Sequence, residues 1–312
     1  MQTILVPSSW TDDLGVFAEG LPAGLLLNST WSTQVLTDGN AVGLCCESVP
    51  DLEALQAFKS IEVVSFTGTG ISDVLELPIV QGRSITLCNI RDYASVDVAE
   101  HAVALMFALA KRLAEGEDRV RSGSWPTGGP WGIRLLGKKL GLVGLGSIGS
   151  EVARIARALG MEVFYWSRNR HSNMEIQMGI SYVSFERVFE QSDIVSLHLA
   201  LNHQTRGIIG QEQFRIMKPD SFLVNTARGG LIETGSLLRA LRSRQIAGAG
   251  LDVFDEEPLP HTHELTKLGN VLLSPHVGAA TSEGILRSRK ECLLNVVSYL
   301  QGQPRNVVRA GN

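Results

Sequence analysis

The segment spanning residues 140–170 constrains the fold of this chain more than any other stretch. Residues 140–143 form a short apolar run typical of a buried strand, and glycines in G-x-G-x-x-G spacing follow directly. A second apolar run covers residues 163–166. Between the two runs, apolar residues recur at helical spacing and end at a glycine suited to a C-cap, namely Ile148, Val152, Ile155, Ala156 and Leu159 before Gly160. The segment therefore predicts a β-α-β unit.

The three glycines of the motif each meet a physical requirement of a dinucleotide site. Gly144 permits the tight turn from strand to helix, Gly146 lets the backbone approach a pyrophosphate, and Gly149 lets the helix pack closely on the strand. The helix N-terminus also offers unpaired N–H groups to phosphates. A glycine motif alone could be an ordinary turn, but the flanking strands and helix are the context that dinucleotide binding demands. We therefore predict a Rossmann dinucleotide-binding domain.

The residues after the second strand indicate which dinucleotide is bound. An acidic residue usually stands there in NAD-binding proteins and holds the ribose 2′-hydroxyl. This chain instead has Ser167, Arg168, Asn169 and Arg170. A hydroxyl and guanidinium groups suit a 2′-phosphate, and one such contact is worth about ten- to hundredfold in affinity. We predict that NADP is preferred over NAD, with NAD still possible; the alternative is that the arginines only solvate a loop.

Composition narrows the class of protein. The net charge of −4 over 312 residues gives no overall basic surface, so we expect no nucleic-acid partner. The four cysteines lack metal-ligand or C-x-x-C spacing, and no histidine and acidic cluster has zinc spacing, so we expect reduced thiols, no metal and a cytoplasmic location. The N-terminus has no signal-peptide pattern and no segment reaches membrane-spanning length, so we expect no membrane association.

Strands and helices alternate along the rest of the chain, which favours parallel α/β architecture. Before the dinucleotide unit, apolar runs predict strands at residues 3–7, 41–45, 61–66 and 85–88, with a helix at 51–58. After it, strands are predicted at residues 181–183, 194–199, 222–225, 247–251 and 271–273, the last of them buried. A long helix over residues 95–113 joins the two parts, and His101 within it is expected to be structural.

The C-terminal segment predicts how the domains are built. A long amphipathic helix over residues 281–300 is expected to return to the first domain and leave Val307 and Val308 as a terminal strand there. We therefore predict an α/β fold of two domains. Residues 1–96 and 287–312 would form a smaller, discontinuous, flavodoxin-like substrate-binding domain, and residues 97–286 the Rossmann domain.

Three polar residues follow predicted strands of the second half and are candidates for chemistry. Arg228, Glu257 and His276 would all lie at the carboxyl edge of one parallel sheet, beside the cofactor crevice. An arginine can bind a carboxylate in bidentate fashion, a histidine can exchange a hydroxyl proton, and a carboxylate beside it stabilises the imidazolium. The alternatives are a turn cap for the arginine, an acidic loop for the glutamate and a satisfied buried histidine. Together with a hydride carrier, the set describes interconversion of a 2-keto acid and a 2-hydroxy acid.

A glycine-rich loop after the strand at 61–66 is a candidate substrate site. Gly68, Thr69 and Gly70 would lie at the carboxyl end of a parallel strand, where ligands bind. Glycines there expose backbone N–H groups suited to a carboxylate. The alternative is a plain turn.

Motifs along nearly the whole chain resemble those of D-isomer-specific 2-hydroxyacid dehydrogenases. They lie at residues 98–102 (VAEHA), 136–146 (LGKKLGLVGLG), 197–201 (LHLAL), 225–230 (NTARGG), 250–254 (GLDVF) with 257–258 (EP), and 274–278 (SPHVG). The resemblance implies that Arg228 binds the substrate carboxylate and carbonyl, His276 is the acid/base and Glu257 is its partner. It also implies that the Gly68–Gly70 loop binds the substrate carboxylate and that the protein forms a homodimer through its cofactor domain.

The resemblance implies cofactor contacts as well. The nicotinamide side would meet Asp252 and the backbone of Thr226 and Ala227, while the backbone of Gly146, Ser147 and Ile148 would hold the pyrophosphate and Gly278 would lie at the same site. Ser72 and Ala200 depart from the residues usual at their positions in the family. We expect an NADP-preferring reductase of a small 2-keto acid such as glyoxylate or hydroxypyruvate. The alternatives are a phosphite dehydrogenase-like enzyme and a dinucleotide-sensing scaffold like the family's corepressors.

Overall fold

The computed structural model describes residues 1–30, 39–47, 60–68, 85–125 and 131–308. The chain divides into two units, Met1–Tyr93 with Ser282–Asn312, and Ala94–Thr281. The first unit is therefore built from both ends of the chain. The boundaries expected from the sequence, at residues 96/97 and 286/287, lie inside two long helices, Ser95–Lys111 and Ser282–Leu300.

The first unit is a six-stranded sheet in the order β13-β5-β4-β3-β1-β2. Its strands are β1 Gln2–Leu5, β2 Leu25–Asn28, β3 Ala41–Cys46, β4 Val63–Phe66, β5 Thr86–Cys88 and β13 Val307–Val308. β1 to β5 pair in parallel, and β13 adds at the edge antiparallel to β5. The order β2-β1-β3-β4-β5 is that of flavodoxin-like folds, as the alternating pattern predicted. β2 was not predicted, and the helix expected at residues 51–58 lies outside the described residues.

The helix that returns from the second unit covers this sheet. Helix α9, Ser282–Leu300, packs on β3 and β4 with Val296 fully buried. The approach is close, because a Cβ atom added at Gly43 in β3 would lie 2.3 Å from Cγ1 of Val296. A short helix, α1 Leu14–Ala18, contributes Phe17 to the same core.

The second unit is a seven-stranded sheet in the order β12-β11-β10-β9-β6-β7-β8, with every neighbouring pair parallel. Its strands are β6 Lys139–Val143, β7 Glu162–Trp166, β8 Ser181–Tyr182, β9 Ile194–Leu197, β10 Phe222–Asn225, β11 Gly248–Leu251 and β12 Val271–Leu273. The order reverses between β6 and β9, which is the switch point of the Rossmann fold, where ligands bind at the carboxyl ends of the strands. The predicted Rossmann architecture is confirmed.

Helices flank this sheet on both sides. They are α2 Ser95–Lys111, α3 Leu113–Arg121, α4 Ser147–Ala158, α5 Ser172–Met178, α6 Phe185–Gln191, α7 Gln211–Ile216 and α8 Thr234–Arg242. α2 packs against α4, β10 and β11, and carries buried Leu105 and Leu109 into the core between them.

The structure corrects two sequence predictions in this unit. The helix expected over residues 95–113 ends at Lys111, because Arg112 adopts a left-handed conformation (φ 52°) and its N–H caps the helix on the carbonyls of Ala108 and Leu109. Leu113, the last residue of the predicted helix, instead begins α3 and is 57% exposed. β12, expected to be buried, is the edge strand, so Leu273 is 39% exposed.

Candidate active site

The glycine-rich turn between β6 and α4 has the geometry that a dinucleotide needs. Gly144 has φ 105°, and a Cβ atom there would lie 2.5 Å from the carbonyl oxygen of His198. A Cβ atom on Gly149 would lie 2.3 Å from the carbonyl oxygen of Gly144, whereas one on Gly146 would meet nothing within 4 Å. Packing therefore requires glycine at the first and third positions, and the second faces open space at the N-terminus of α4. A pyrophosphate fits there.

His198 forms one wall behind this turn. It follows β9, and its Nε2 lies 2.9 Å from the hydroxyl oxygen of Ser196. Burial lowers the pKa of His198 to about 4, so its imidazole is neutral at pH 7. It supports the nucleotide turn as a packing residue and adds no positive charge there.

The two arginines after β7, which were expected to bind a 2′-phosphate, differ in their contacts. Ser167 is buried, and its hydroxyl donates to the carbonyl of Asn169. Arg170 is bound to Glu175 through two hydrogen bonds, Nε to Oε1 at 2.9 Å and Nη2 to Oε2 at 2.8 Å. Arg168 is exposed and makes no recorded ion pair within the described part of the chain. Of the two guanidinium groups, only that of Arg168 is left for an anionic ligand.

The ion pair of Arg170 and Glu175 is expected to make the stability of the fold depend on pH. The hydrogen bond from Arg170 lowers the pKa of Glu175 from 4.5 to about 2, with a further contribution from the hydroxyl of Tyr165 at 2.9 Å. Because the folded-state pKa is depressed, the pair stabilises the fold fully above about pH 4.5, and this stabilisation is lost as the pH falls toward 2. We expect Glu175→Gln to lower the urea midpoint of unfolding modestly at pH 7. As the pH falls toward 2, the urea midpoints of the variant and the wild type should become equal.

The control for this measurement is Glu190→Gln, which removes an exposed carboxylate without a recorded ion pair in the described chain. It should leave the urea midpoint unchanged at both pH values. A Glu175→Gln protein as stable as wild type at pH 7, or a deficit that persists undiminished in acid, would contradict the assignment.

The three candidate catalytic residues come together at the carboxyl edge of the sheet. Asn225 of β10 pairs with Leu251 of β11, and Leu251 with Leu273 of β12, so the three strands end side by side. The loops that follow carry the candidate side chains and enclose a cavity of about 270 Å³. Its lining includes Arg228, Glu257, His276, Arg206, Leu201 and Phe254.

His276 and Glu257 form a hydrogen-bonded pair within this cavity. Nδ1 of His276 lies 2.6 Å from Oε2 of Glu257, and Oε1 of the same carboxylate accepts the N–H of Phe254 at 2.8 Å. The carboxylate is thus fixed at both oxygens and fixes one ring nitrogen of the histidine. The other nitrogen, Nε2, is left to exchange a proton with a ligand, which is the arrangement of a carboxylate-oriented general acid or base.

Arg228 is held by the loop that follows β10. Asn225 organises this loop, since its side chain accepts the N–H of Ala227 at 3.0 Å and donates to the carbonyl of Arg228 at 2.9 Å. Nη1 of Arg228 donates to the carbonyl of Ala227 at 2.7 Å, which leaves most of the guanidinium for a ligand. A Cβ atom on Gly229 would lie 2.0 Å from the carbonyl carbon of Phe254, so only glycine lets the two loops pack together.

Residues expected at the nicotinamide also lie at this edge. Thr226 is 7% exposed, and its hydroxyl has no hydrogen-bond partner in the described structure. Asp252 is 2% exposed, and its carboxylate accepts the N–H of Gly278 at 2.9 Å. A buried hydroxyl without a partner at the end of a Rossmann strand is suited to form a hydrogen bond with a polar group of the cofactor.

Three residues at or beside the site were not predicted to belong to it. Arg206 lines the cavity from a polar turn, and its Nη1 would lie 3.0 Å from a Cβ atom on Gly230. Asn225 acts through loop hydrogen bonds, which spacing does not reveal. His101 was expected to be structural, and its Nε2 lies 3.0 Å from Oγ of Ser274 and 3.3 Å from Oδ1 of Asp252, which are both distant from it in the sequence.

The glycine loop of the first unit is described only in part. Gly68 follows β4, and its carbonyl accepts the N–H of Ile90 at 3.4 Å. Thr69, Gly70 and Ser72 lie outside the described residues. Within the described ranges, no group of three or more His, Cys, Asp or Glu side chains could hold a metal ion. Among the described helices, none is both long and apolar enough to cross a membrane.

Comparison with known proteins points to one family. Residues 103–278 match the model described as "D-isomer specific 2-hydroxyacid dehydrogenase, NAD binding domain". A glyoxylate reductase of Thermococcus litoralis is 36% identical over 92% of this chain and 87% of its own length. The pyruvate reductase of Chlamydomonas reinhardtii is 27% identical with a TM-score of 0.83, over 100% of this chain and 98% of that one. A D-lactate dehydrogenase from Aquifex aeolicus, complexed with NAD and lactic acid, is 26% identical with a TM-score of 0.78, over 97% and 96%.

Proposed function

Because the chain belongs to the D-isomer-specific 2-hydroxyacid dehydrogenase family, we propose that it reduces a small 2-keto acid, such as glyoxylate or hydroxypyruvate, with NADPH preferred over NADH. The observation that carries the proposal is the shared cavity of Arg228, Glu257 and His276, in which Nδ1 of His276 lies 2.6 Å from Glu257. The name of the Thermococcus relative supports glyoxylate as a substrate.

In the proposed reaction each residue has one task. The guanidinium of Arg228 binds the substrate carboxylate and polarises the adjacent carbonyl. The reduced nicotinamide, when bound, supplies a hydride. His276 gives its Nε2 proton to the carbonyl oxygen as C2 gains the hydride, which yields the hydroxy acid, and Glu257 stabilises the imidazolium beforehand. In the opposite direction His276 accepts the hydroxyl proton.

The remaining assignments of ligand sites follow the same scheme. We propose that the backbone of Gly146, Ser147 and Ile148 holds the pyrophosphate and that Thr226, Ala227, Asp252 and Gly278 lie at the nicotinamide side. The N–H groups of the Gly68–Gly70 loop are proposed as further ligands of the substrate carboxylate. Residues 1–96 and 287–312 would thus serve the substrate, and residues 97–286 the cofactor.

A keto-acid panel tests the proposal. The purified protein is mixed with NADPH and, in turn, with glyoxylate, hydroxypyruvate and pyruvate, while the absorbance of the cofactor is followed. In a separate assay it is mixed with NADP and phosphite. We expect NADPH oxidation with at least one of the first two acids. Tight NADPH binding without turnover of any acid would instead indicate a dinucleotide-sensing scaffold, and reduction of NADP by phosphite would indicate phosphite oxidation.

The preference for NADPH over NADH is expected to depend on Arg168. Arg168 is the arginine after β7 without an ion pair in the described chain, and its neighbours in the sequence, Ser167 and Asn169, carry no negative charge that would repel a 2′-phosphate. One charge-assisted contact is worth about ten- to hundredfold in affinity. We therefore expect kcat/KM with NADPH to exceed that with NADH by about tenfold or more, and Arg168→Asp to reverse the order.

The matched control is Arg170→Ala. Since Glu175 already holds the Arg170 guanidinium at two points, its loss should change the ratio of the two kcat/KM values far less than Arg168→Asp does. Equal use of NADPH and NADH by the wild type would refute the preference. A larger effect at Arg170 would move the phosphate contact to that residue.

We also propose a homodimer formed through the cofactor-binding unit. Helix α3 has no buried residue, and Leu113 (57% exposed) and Val120 (56%) lie seven positions apart on one face. Trp125, which follows the helix in the sequence, is 76% exposed. Exposed apolar side chains gathered on one face mark interaction surfaces. We expect wild type to elute as a dimer in size-exclusion chromatography with light scattering, and Val120→Asp to shift it to a monomer. Ile176→Asp, on a different exposed helix, is the control, and a monomeric wild type would contradict the proposal.

The location of the protein is proposed to be the cytoplasm. All four cysteines, Cys45, Cys46, Cys88 and Cys292, are buried in the first unit, and no disulfide joins them. Burial is the largest influence on the Cys88 thiol and raises its pKa to about 11, so it stays protonated at neutral pH. Cysteines that remain in the thiol form are typical of reducing compartments.

A further inference from the structure

The turn that carries His276 is held in an unfavourable backbone conformation. His276 has φ 54°, which places a residue with a Cβ atom in the left-handed region. Such a conformation persists only where the surrounding structure imposes it, and it is concentrated at functional sites. The contacts that impose it therefore determine where the imidazole points.

Asp252 holds this turn on both sides of His276. Its main-chain carbonyl accepts the N–H of His276 at 2.8 Å. Its carboxylate accepts the N–H of Val277 at 3.0 Å and that of Gly278 at 2.9 Å. His276 is thus bound to the main chain of Asp252, and the two residues after it are bound to the Asp252 side chain, which is 2% exposed.

Two further residues fix the carboxylate of Asp252. The hydroxyl of Ser274 donates to Oδ1 at 2.6 Å. Since that hydroxyl has one proton and gives it to the carboxylate, it can only accept from Nε2 of His101, which lies 3.0 Å away. His101 therefore carries its proton on Nε2 and reaches both Ser274 and Asp252, the latter at 3.3 Å.

The electrostatics agree with this direction of the hydrogen bonds. Burial acts to raise the pKa of Asp252, but the donors from His101, Ser274, Val277 and Gly278 together bring it below its ordinary value. The carboxylate is therefore ionised, and each of its donors is a charge-assisted hydrogen bond of the stronger kind.

We propose that Ser274 and His101 are positioning residues of the reaction, which through Asp252 hold the left-handed turn that aims the imidazole of His276 at the substrate. The inference rests on the proposed role of His276 as the acid. Neither residue lines the cavity of Arg228 and His276, so each acts through the turn. Removing a donor lets the turn relax, and a displacement of about 1 Å at a reacting group can cost on the order of hundredfold in rate.

Single substitutions test the proposal first. Ser274→Ala and His101→Leu should lower kcat about 10- to 100-fold, with the KM for the keto acid unchanged and the Kd for NADPH changed far less than kcat. Ser274→Thr and His101→Gln keep a donor at the same place and should retain most of kcat. Ser221→Ala removes a buried hydroxyl that donates to the carbonyl of Lys218 before β10, and it should leave kcat unchanged.

A double-mutant cycle separates positioning from general stability. If Ser274 acts through His276, adding Ser274→Ala or His101→Leu to His276→Asn should cause no further loss of kcat. A second loss of the same size in the His276→Asn background would overturn the proposal. The side chain of His101 is partly exposed on α2, so His101→Leu is less disruptive to packing. This variant is used for the test if Ser274→Ala does not fold.

The outcomes distinguish this inference from the function on which it rests. A His276→Asn protein with wild-type kcat would remove the acid role itself. A His276→Asn protein with a severe loss, beside Ser274→Ala and His101→Leu proteins with normal kcat, would leave the function intact and refute only the positioning role. Equal losses in kcat, substrate KM and NADPH affinity would also refute it, because they indicate a general structural defect.

Discussion

His276→Asn is expected to lower kcat about 10²- to 10⁴-fold, the usual contribution of a positioned general acid. Asparagine approximates the size and polarity of the imidazole, but its amide N–H is not acidic enough to transfer a proton to a developing alkoxide. Because the side chain lies in the cavity and not at the glycine turn, NADPH binding should survive. The measurement is steady-state kcat with the best keto acid, beside a fluorescence titration of NADPH.

Glu257→Gln provides the companion variant for this result. Its carboxylate holds Nδ1 of His276 at 2.6 Å and is itself fixed by the N–H of Phe254. Glutamine keeps the size but not the charge that stabilises the imidazolium, so we expect a smaller loss of kcat than at His276. Normal kcat in His276→Asn would remove this residue from the mechanism, and loss of NADPH binding would indicate damage beyond the acid.

Arg228→Ala is expected mainly to raise the KM for the keto acid, by about ten- to hundredfold per lost charge-assisted hydrogen bond. The guanidinium spends one donor on the carbonyl of Ala227 and keeps the others for the substrate. An interaction made equally with the substrate and the transition state appears in KM, whereas polarisation of the carbonyl appears in kcat. Initial rates over a wide range of keto-acid concentration separate the two effects.

Two variants control for the Arg228 result. Arg228→Lys keeps the charge but not the planar fork, so its KM should fall between those of wild type and Arg228→Ala. Arg206→Ala removes a second guanidinium from the same cavity. If Arg206→Ala raises KM as much as Arg228→Ala does, a general positive potential and not a specific carboxylate contact binds the substrate.

The sequence was sufficient for the parts of the fold that local patterns encode. The Rossmann unit follows from an apolar run, three spaced glycines and a helical stripe, and each has a steric reason in the structure, such as the 2.3 Å that a Cβ atom on Gly149 would leave to Gly144. The clustering of Arg228, Glu257 and His276 was predictable because neighbouring parallel strands end at one edge. The fold, the family and the keto-acid oxidoreductase class are confirmed by the comparisons.

Other features depend on contacts between distant parts of the chain. The break at Arg112 is made by a residue without a local turn signal. Arg170 pairs with Glu175 because Glu175 lies on helix α5, and this helix was not predicted from the sequence. The contacts of His101 with Ser274 and Asp252 join α2 to the far end of the sheet, so only tertiary packing creates them.

One isotope experiment tests the central claim most directly. The protein is incubated with hydroxypyruvate and NADPH that carries deuterium at both hydrogen positions of nicotinamide C4, and the product is examined by NMR and by chiral chromatography. The account predicts D-glycerate with deuterium at C2. L-glycerate, or a glycerate without deuterium at C2, would contradict it.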